Sequence, residues 1–194
     1  MSYKVVYLTG APAAGKSSLT RALSEHVPEL SIFEYGARLT TYVNNKKREP
    51  LEQSDLRERS SAVVTPDDVR AVDQELVDFV RQERTRRHVI IDSHAVTKES
   101  YGYRVTPYSL HGFAKLEPTH IWMLYTDPEV AVRRIANNAQ GRPAVSLESA
   151  RFHTNLQASV AITYGMSLGV PVYFFDSDRP LERLSADLAA RLRQ

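Results

Sequence analysis

The sequence predicts an α/β sandwich built on a parallel sheet, and three observations carry that reading. Five short segments rich in β-branched and aromatic residues recur along the chain, longer stretches of helical pattern separate them, and two of the five are apolar almost throughout. The segments are Lys4 to Leu8, Ser31 to Tyr35, His88 to Ile91, His120 to Tyr125 and Pro171 to Phe175. Val89-Ile90-Ile91 and Ile121-Trp122-Met123-Leu124 show no polar alternation, so both faces of those strands are covered, which is how parallel sheets are built. Strand and helix in alternation then place helices on both sides of the sheet.

The first segment runs into a glycine-bounded turn and a helical pattern from Ser18 to His26. After the second segment, Asn44 to Ser54 is polar and contains Pro50, which reads as a mobile loop. Thr65-Pro66-Asp67-Asp68 opens a helix running to about Arg84. It supplies a capping hydroxyl, a proline at the first helical position and acidic residues where the backbone N–H groups are unpaired. Asp127-Pro128-Glu129 repeats that arrangement ahead of Val130 to Ala136, and Asn137 to Ser146, with Gly141 and Pro143, reads as a second mobile loop. A final amphipathic helix spans Leu181 to Leu192.

At 194 residues the chain is long enough for one domain, 1–194, with a core that needs no staples. Hydrophobic content of 42% with 25% charged residues is ordinary for a globular protein, and no stretch approaches the ~20 apolar residues of a membrane-spanning helix. No secretory leader pattern precedes the Tyr3 to Leu8 run, so a cytoplasmic location is the expectation. The chain has no cysteine, which excludes disulfides, thiolate zinc sites and cysteine nucleophiles and leaves oxygen ligands for any metal. The net charge is +2, and the short basic runs at Lys46-Lys47-Arg48 and Arg84 to Arg87 read as solvated helix ends or as phosphate attractors. Neither run supports a nucleic-acid partner by itself.

Gly10-Ala11-Pro12-Ala13-Ala14-Gly15-Lys16-Ser17 fits the phosphate-binding P-loop at every specified position, between a predicted strand and a predicted helix that Ser18 enters. The glycines let successive backbone N–H groups point at phosphate oxygens, and the helix adds the positive end of its dipole. Lys16 is then expected on the β- and γ-phosphates of a nucleoside triphosphate, and Ser17 on Mg²⁺. A second carboxylate for the metal's water shell is needed, and Asp92 ends the apolar run Val89-Ile90-Ile91, at the strand end where open α/β sheets bind ligands. Capping of the next helix is the alternative for Asp92. Asp176, at the equivalent rim, sits in Asp176-Ser177-Asp178-Arg179-Pro180 and reads first as a turn, with a backbone contribution to a base pocket as its alternative.

With these residues in view the chain resembles the archaeal-type adenylate kinases, a short-lid branch of the nucleoside monophosphate kinase-like P-loop group. The resemblance spans most of the chain. It rests on the P-loop, on Tyr35-Gly36, and on Ile91-Asp92-Ser93-His94-Ala95 followed by Lys98 and Gly102-Tyr103. Asp127-Pro128-Glu129 with Arg133-Arg134, and His153 followed by Ala161-Ile162-Thr163-Tyr164, complete it. It implies a P-loop nucleotide kinase-like fold, a three-layer sandwich whose five parallel strands run in order 2-3-1-4-5. ATP would lie over Gly10 to Ser17, with an acceptor-binding subdomain at 36–71 and a short lid at 137–146.

The resemblance also implies roles. Tyr35, Gly36, Arg38, Arg57 and His94 would face the acceptor, AMP in the family, with structural or surface roles as the alternative for the last three. Arg133 or Arg134 would lie near adenine or the phosphates, and Arg142 would close on the transferring group. Arginines suit this reaction, because phosphoryl transfer is accelerated chiefly by alignment and by neutralising charge on the equatorial oxygens. A homo-oligomer is also compatible with the family. Two departures stand out. The family places an arginine five residues after the histidine matching His153, where this chain has Ala158, with Arg151 as the nearest substitute; and Asn44-Asn45-Lys46-Lys47-Arg48 reads as a polar loop in place of a more regular helix.

Three functions follow as expectations: an ATP-dependent nucleotide kinase acting on a nucleoside monophosphate, a kinase of the same architecture acting on another small molecule or an RNA end, and an ATP-switched binding module.

Overall fold

The computed structural model describes residues 3–47, 63–137 and 144–194. The chain opens with β1 (Val5–Gly10), α1 (Lys16–His26), β2 (Leu30–Glu34), α2 (Tyr35–Lys47), α3 (Pro66–Glu83) and β3 (His88–Asp92). A hairpin of β4 (Val96–Glu99) and β5 (Gly102–Val105) follows, then α4 (Leu110–Ala114), β6 (His120–Tyr125), α5 (Pro128–Asn137), α6 (Leu147–Leu168), β7 (Val172–Asp176) and α7 (Leu181–Arg193).

Five strands form one sheet in order β2-β3-β1-β6-β7, all neighbouring pairs parallel. The order differs from the expected 2-3-1-4-5 in that two strands enter the count between the third and fourth sheet strands. These are β4 and β5, which pair antiparallel in a separate two-stranded sheet. Their four-residue segments, VTKE and GYRV, are too short and too polar to register as strands in the sequence.

Alternation along β1 sorts the core into two layers. Val6 and Leu8 point to one face and pack with Leu19 and Leu23 of α1 and with Leu184, Leu188 and Leu192 of α7. Val5 and Tyr7 point to the other and pack with Val72, Leu76 and Val80 of α3, Phe113 of α4 and Tyr164 of α6. All six β1 residues are buried, as a central strand covered on both faces must be.

The α3 start is a complete capping box: Thr65 Oγ1 accepts from Asp68 N at 3.3 Å, and Asp68 Oδ2 accepts from Thr65 N at 2.9 Å. A correction concerns the preceding segment. Residues 44–47 belong to helix α2, not to a loop, because tertiary contacts outweigh their polarity: Val43 is fully buried and Lys46 Nζ bonds Asp68 Oδ1 at 2.6 Å. The α2–α3 pair therefore supplies the regular helix whose absence the sequence suggested. Residues 48–54 of that expected loop, and 138–143 of the expected lid, lie outside the described residues. Among the described residues no helix is long and apolar enough to cross a membrane.

Candidate active site

The P-loop takes its shape from two tight places. A Cβ on Gly10 would lie 2.7 Å from the Leu124 carbonyl oxygen, so only glycine lets β1 pass β6 there. Gly15 then caps α1 at φ 87°, in the left-handed region that favours glycine. Ala13 adopts a left-handed φ of 65° as well, and Ala14 N donates to Ala11 O at 3.2 Å to close the turn. Among the described residues no side chain caps α1, and no acidic residue occupies its first turn, which leaves its leading N–H groups and dipole for an anion.

Lys16 Nζ sits 3.4 Å from Gly10 O and 3.7 Å from Asp92 Oδ1. Ser17 and Ser18 are exposed in the same first turn. Parallel register places Asp92 opposite Leu8 on one side and Glu34 on the other, so β2 and β3 end level with each other while β1 runs on to Gly10. Burial pushes the Asp92 carboxyl up; Lys16 pulls the other way and Glu34 adds to the rise. A buried carboxylate at a strand end beside the phosphate lysine is under electrostatic tension, relieved when a cation arrives.

These groups floor one open cleft of about 810 Å³, lined on its donor side by Gly10, Lys16, Ser17, Asp92 and Thr126. Thr126 Oγ1 is buried, with no partner among the described residues, at the end of β6. Among the described residues no three carboxylate, histidine or cysteine side chains converge as a metal site. Ser17 and Asp92 offer two oxygen donors, a set that suits magnesium, which keeps water and phosphate oxygens for the rest of its shell.

The remaining expected residues divide. Tyr35 and Gly36, in the first turn of α2, and His94, exposed after β3, all line the cleft. Arg38 does not line it: its guanidinium bonds Glu75 Oε1 at 3.0 Å and lies 5.4 Å from the Phe33 ring centroid. Arg134 reaches behind the P-loop, donating to Ala13 O at 3.2 Å and to Ser177 O at 3.1 Å, and lies 3.7 Å from Asp178. Its contacts are those of a brace joining the loop to the turn after β7. Arg133 is exposed on α5, whereas Arg57 and Arg142 lie outside the described residues. Asp176 caps its own turn by accepting from Asp178 N at 2.9 Å. Arg151 is exposed and is not among the residues that line the cleft.

Several cleft residues escape a reading of the sequence. Glu34 ends β2 just as Asp92 ends β3, so the same strand-end rule could have found it. Asp73 lies mid-helix on α3 and accepts from Tyr35 Oη at 2.8 Å; burial pushes its carboxyl up and that bond opposes the rise. Tyr108 meets Tyr35 edge-on at 5.8 Å between centroids and lies 3.3 Å from Ser93 Oγ. Opposite them the hairpin brings in Lys98, 4.8 Å from the Tyr103 centroid, and Arg104, 2.9 Å from Glu99. His153 anchors that hairpin through Val96 O at 3.1 Å, and burial pushes its pKa down.

The whole chain superposes on two solved structures of low identity. One is the tunicamycin resistance protein of Deinococcus radiodurans, with a TM-score of 0.59 and 13% identity over 98% of this chain and 95% of that one. The other is a protein of Chloroflexus aurantiacus proposed to be a kinase, with a TM-score of 0.58 and 15% identity over 99% and 97%. At such identities the likeness establishes the fold, an α/β sandwich with a five-stranded parallel sheet. No curated protein matches the chain. An AAA domain family model matches residues 9–151, from the last residues of β1 through the P-loop and the strand ends into α6, and the chain belongs to the AAA domain family.

Proposed function

We propose that this protein is an ATP-dependent phosphotransferase that binds Mg-ATP over residues 10–18 and moves the γ-phosphoryl group to a small acceptor held in the same cleft. The observation that carries the proposal is Lys16 Nζ 3.7 Å from Asp92 Oδ1, at the mouth of a P-loop that opens onto a cleft of about 810 Å³. Lys16 and the free N–H groups of α1 hold the β- and γ-phosphates; Ser17 and Asp92 hold magnesium, which neutralises phosphate charge when bound. Arg134 keeps the loop in shape from behind, and Thr126 offers its hydroxyl from the end of β6. No protein nucleophile is needed, because alignment and charge neutralisation carry most of the rate.

The resemblance to adenylate kinases gives AMP, or another nucleoside monophosphate, as the acceptor. The kinase description of the Chloroflexus protein agrees with the reaction class. A second acceptor class, a neutral compound with a hydroxyl group, is favoured by the orientation of Arg38, which bonds Glu75 and does not line the cleft, where Glu34 and Asp73 do.

The test of the phosphotransferase reading is ATP binding and ADP formation by the purified protein, wild type and Lys16→Ala, with and without magnesium. Magnesium-dependent ADP formation that disappears in the variant is the expected result. Equal turnover in both proteins, or no ATP binding to either, would end the proposal.

A further inference from the structure

The acceptor end of the cleft has a chemistry that narrows what is phosphorylated, given the phosphotransferase reading on which this inference rests. Glu34 and Asp73 line the cleft away from the P-loop, with Asp92 on its donor side. Among the described residues, the cations around it have partners of their own. Lys16 belongs to the P-loop and Asp92, Arg38 bonds Glu75, Arg70 bonds Asp67, Arg104 bonds Glu99, and Lys98 lies over Tyr103. A phosphate monoester dianion brought against Glu34 and Asp73 meets like charge, which disfavours binding unless cations intervene.

We infer that the acceptor is a neutral nucleoside-like molecule, a flat heterocycle bearing N–H donors and a primary hydroxyl, and that Glu34 receives the hydroxyl. Three features of the wall fit the parts of such a molecule. Tyr35 and Tyr108, in edge-to-face contact at 5.8 Å, form with Leu39 an apolar stretch of cleft wall on which a planar ring can lie. Asp73, which already accepts from Tyr35 Oη at 2.8 Å, keeps further lone pairs for N–H groups of the heterocycle. Glu34 is the exposed carboxylate at the carboxyl end of β2, in register with Asp92, so it borders the site where the γ-phosphate meets the acceptor.

The step balances without any further reactant. The acceptor O–H gives its proton to the Glu34 carboxylate, its oxygen forms the new bond to Pγ, and the bond from Pγ to the β–γ bridging oxygen breaks to release ADP. A phosphate acceptor, already ionised near neutral pH, would need no such carboxylate.

The experiment compares acceptors on the full chain. ADP formation from Mg-ATP is measured with adenosine, guanosine, cytidine, uridine and their deoxy forms, and in parallel with the matching 5′-monophosphates, while ³¹P NMR follows any new phosphate ester. ATP binding is measured by calorimetry on the same preparations. At least one nucleoside is expected to raise ADP formation tenfold or more over its own monophosphate, on the order of a single well-placed interaction. Glu34→Gln is expected to lose about 100-fold in kcat with the KM for ATP unchanged, and Glu34→Asp to recover part of it.

Stimulation by a monophosphate alone overturns the inference, as does wild-type kcat in Glu34→Gln. So does bound ATP that no nucleoside turns over; in those cases the phosphotransferase reading survives. Failure to bind ATP removes both.

Discussion

Gln157 Nε2 donates to Thr9 Oγ1 at 2.6 Å, one residue before the P-loop, while its Oε1 accepts from Val96 N at 3.1 Å. One fully buried amide thus joins α6, the end of β1 and the start of the hairpin that walls the cleft. Gln157→Leu leaves a buried hydroxyl and a buried N–H without that partner, and each unmet group costs roughly 1–3 kcal/mol. The variant is expected to be destabilised by about 2–4 kcal/mol in urea unfolding. A change below about 0.5 kcal/mol would show that water or Tyr7 takes over the bond.

Lys16 makes only a long contact to Gly10 O and a loose pair with Asp92, so it contributes little to the fold. Lys16→Ala is expected to lower turnover by about 100-fold or more, as removal of one charge-stabilising donor does. Its thermal midpoint should stay within about 2 °C of the wild type. A large drop in midpoint would mean that lost activity reports lost structure.

Burial raises the Asp92 carboxyl in the folded state, so the ionised form is less comfortable folded than unfolded and detracts from stability above the unfolded carboxylate pKa of about 3.9. Asp92→Asn removes that charge. In the absence of magnesium and nucleotide the variant is expected to melt higher than wild type at neutral pH, with the difference vanishing below about pH 3.9, where both states of the wild type are protonated. Its magnesium-dependent turnover should fall at the same time, the trade expected of a group held in strain for function. A variant less stable than wild type at neutral pH would instead mark Asp92 as a structural partner of Lys16.

Asp68 behaves in the opposite way. The Lys46 ammonium bonded to it, helped by the Thr65 backbone and hydroxyl, holds its carboxyl down at about 2. A depressed folded pKa contributes stability that is fully present above the unfolded value of about 3.9 and is lost as pH falls toward about 2. Asp68→Asn is therefore expected to be less stable than wild type at neutral pH, with the gap closing between about pH 4 and pH 2 in acid titrations followed by circular dichroism. A gap independent of pH would assign the loss to the capping geometry alone. Salt should narrow the neutral-pH gap only modestly, since Asp68 is buried although Lys46 is exposed.

Whatever depends on neighbours along the chain was legible in the sequence. The P-loop is a local device: Gly10 and Gly15 admit the turn, Lys16 and Ser17 follow at fixed spacing, and the strand before and helix after are visible as period changes. The Thr65 to Asp68 cap is local in the same way, and the apolar runs of β3 and β6 announced their burial on both faces. What required strand order and helix packing was not legible. Glu34 and Asp92 are 58 positions apart in the sequence and meet because β2 pairs with β3 in parallel register. Arg38 looked like an acceptor ligand by its place after Tyr35-Gly36, but the rotation of α2 against α3 hands it to Glu75. Polarity alone would end α2 near residue 44, whereas buried Val43 and the Lys46 bond to Asp68 carry the helix on to Lys47. A sequence pattern determines which residues can form a strand, a cap or a phosphate loop; which side chains then face one another is decided by register and packing, because those distances are set between elements and not within them.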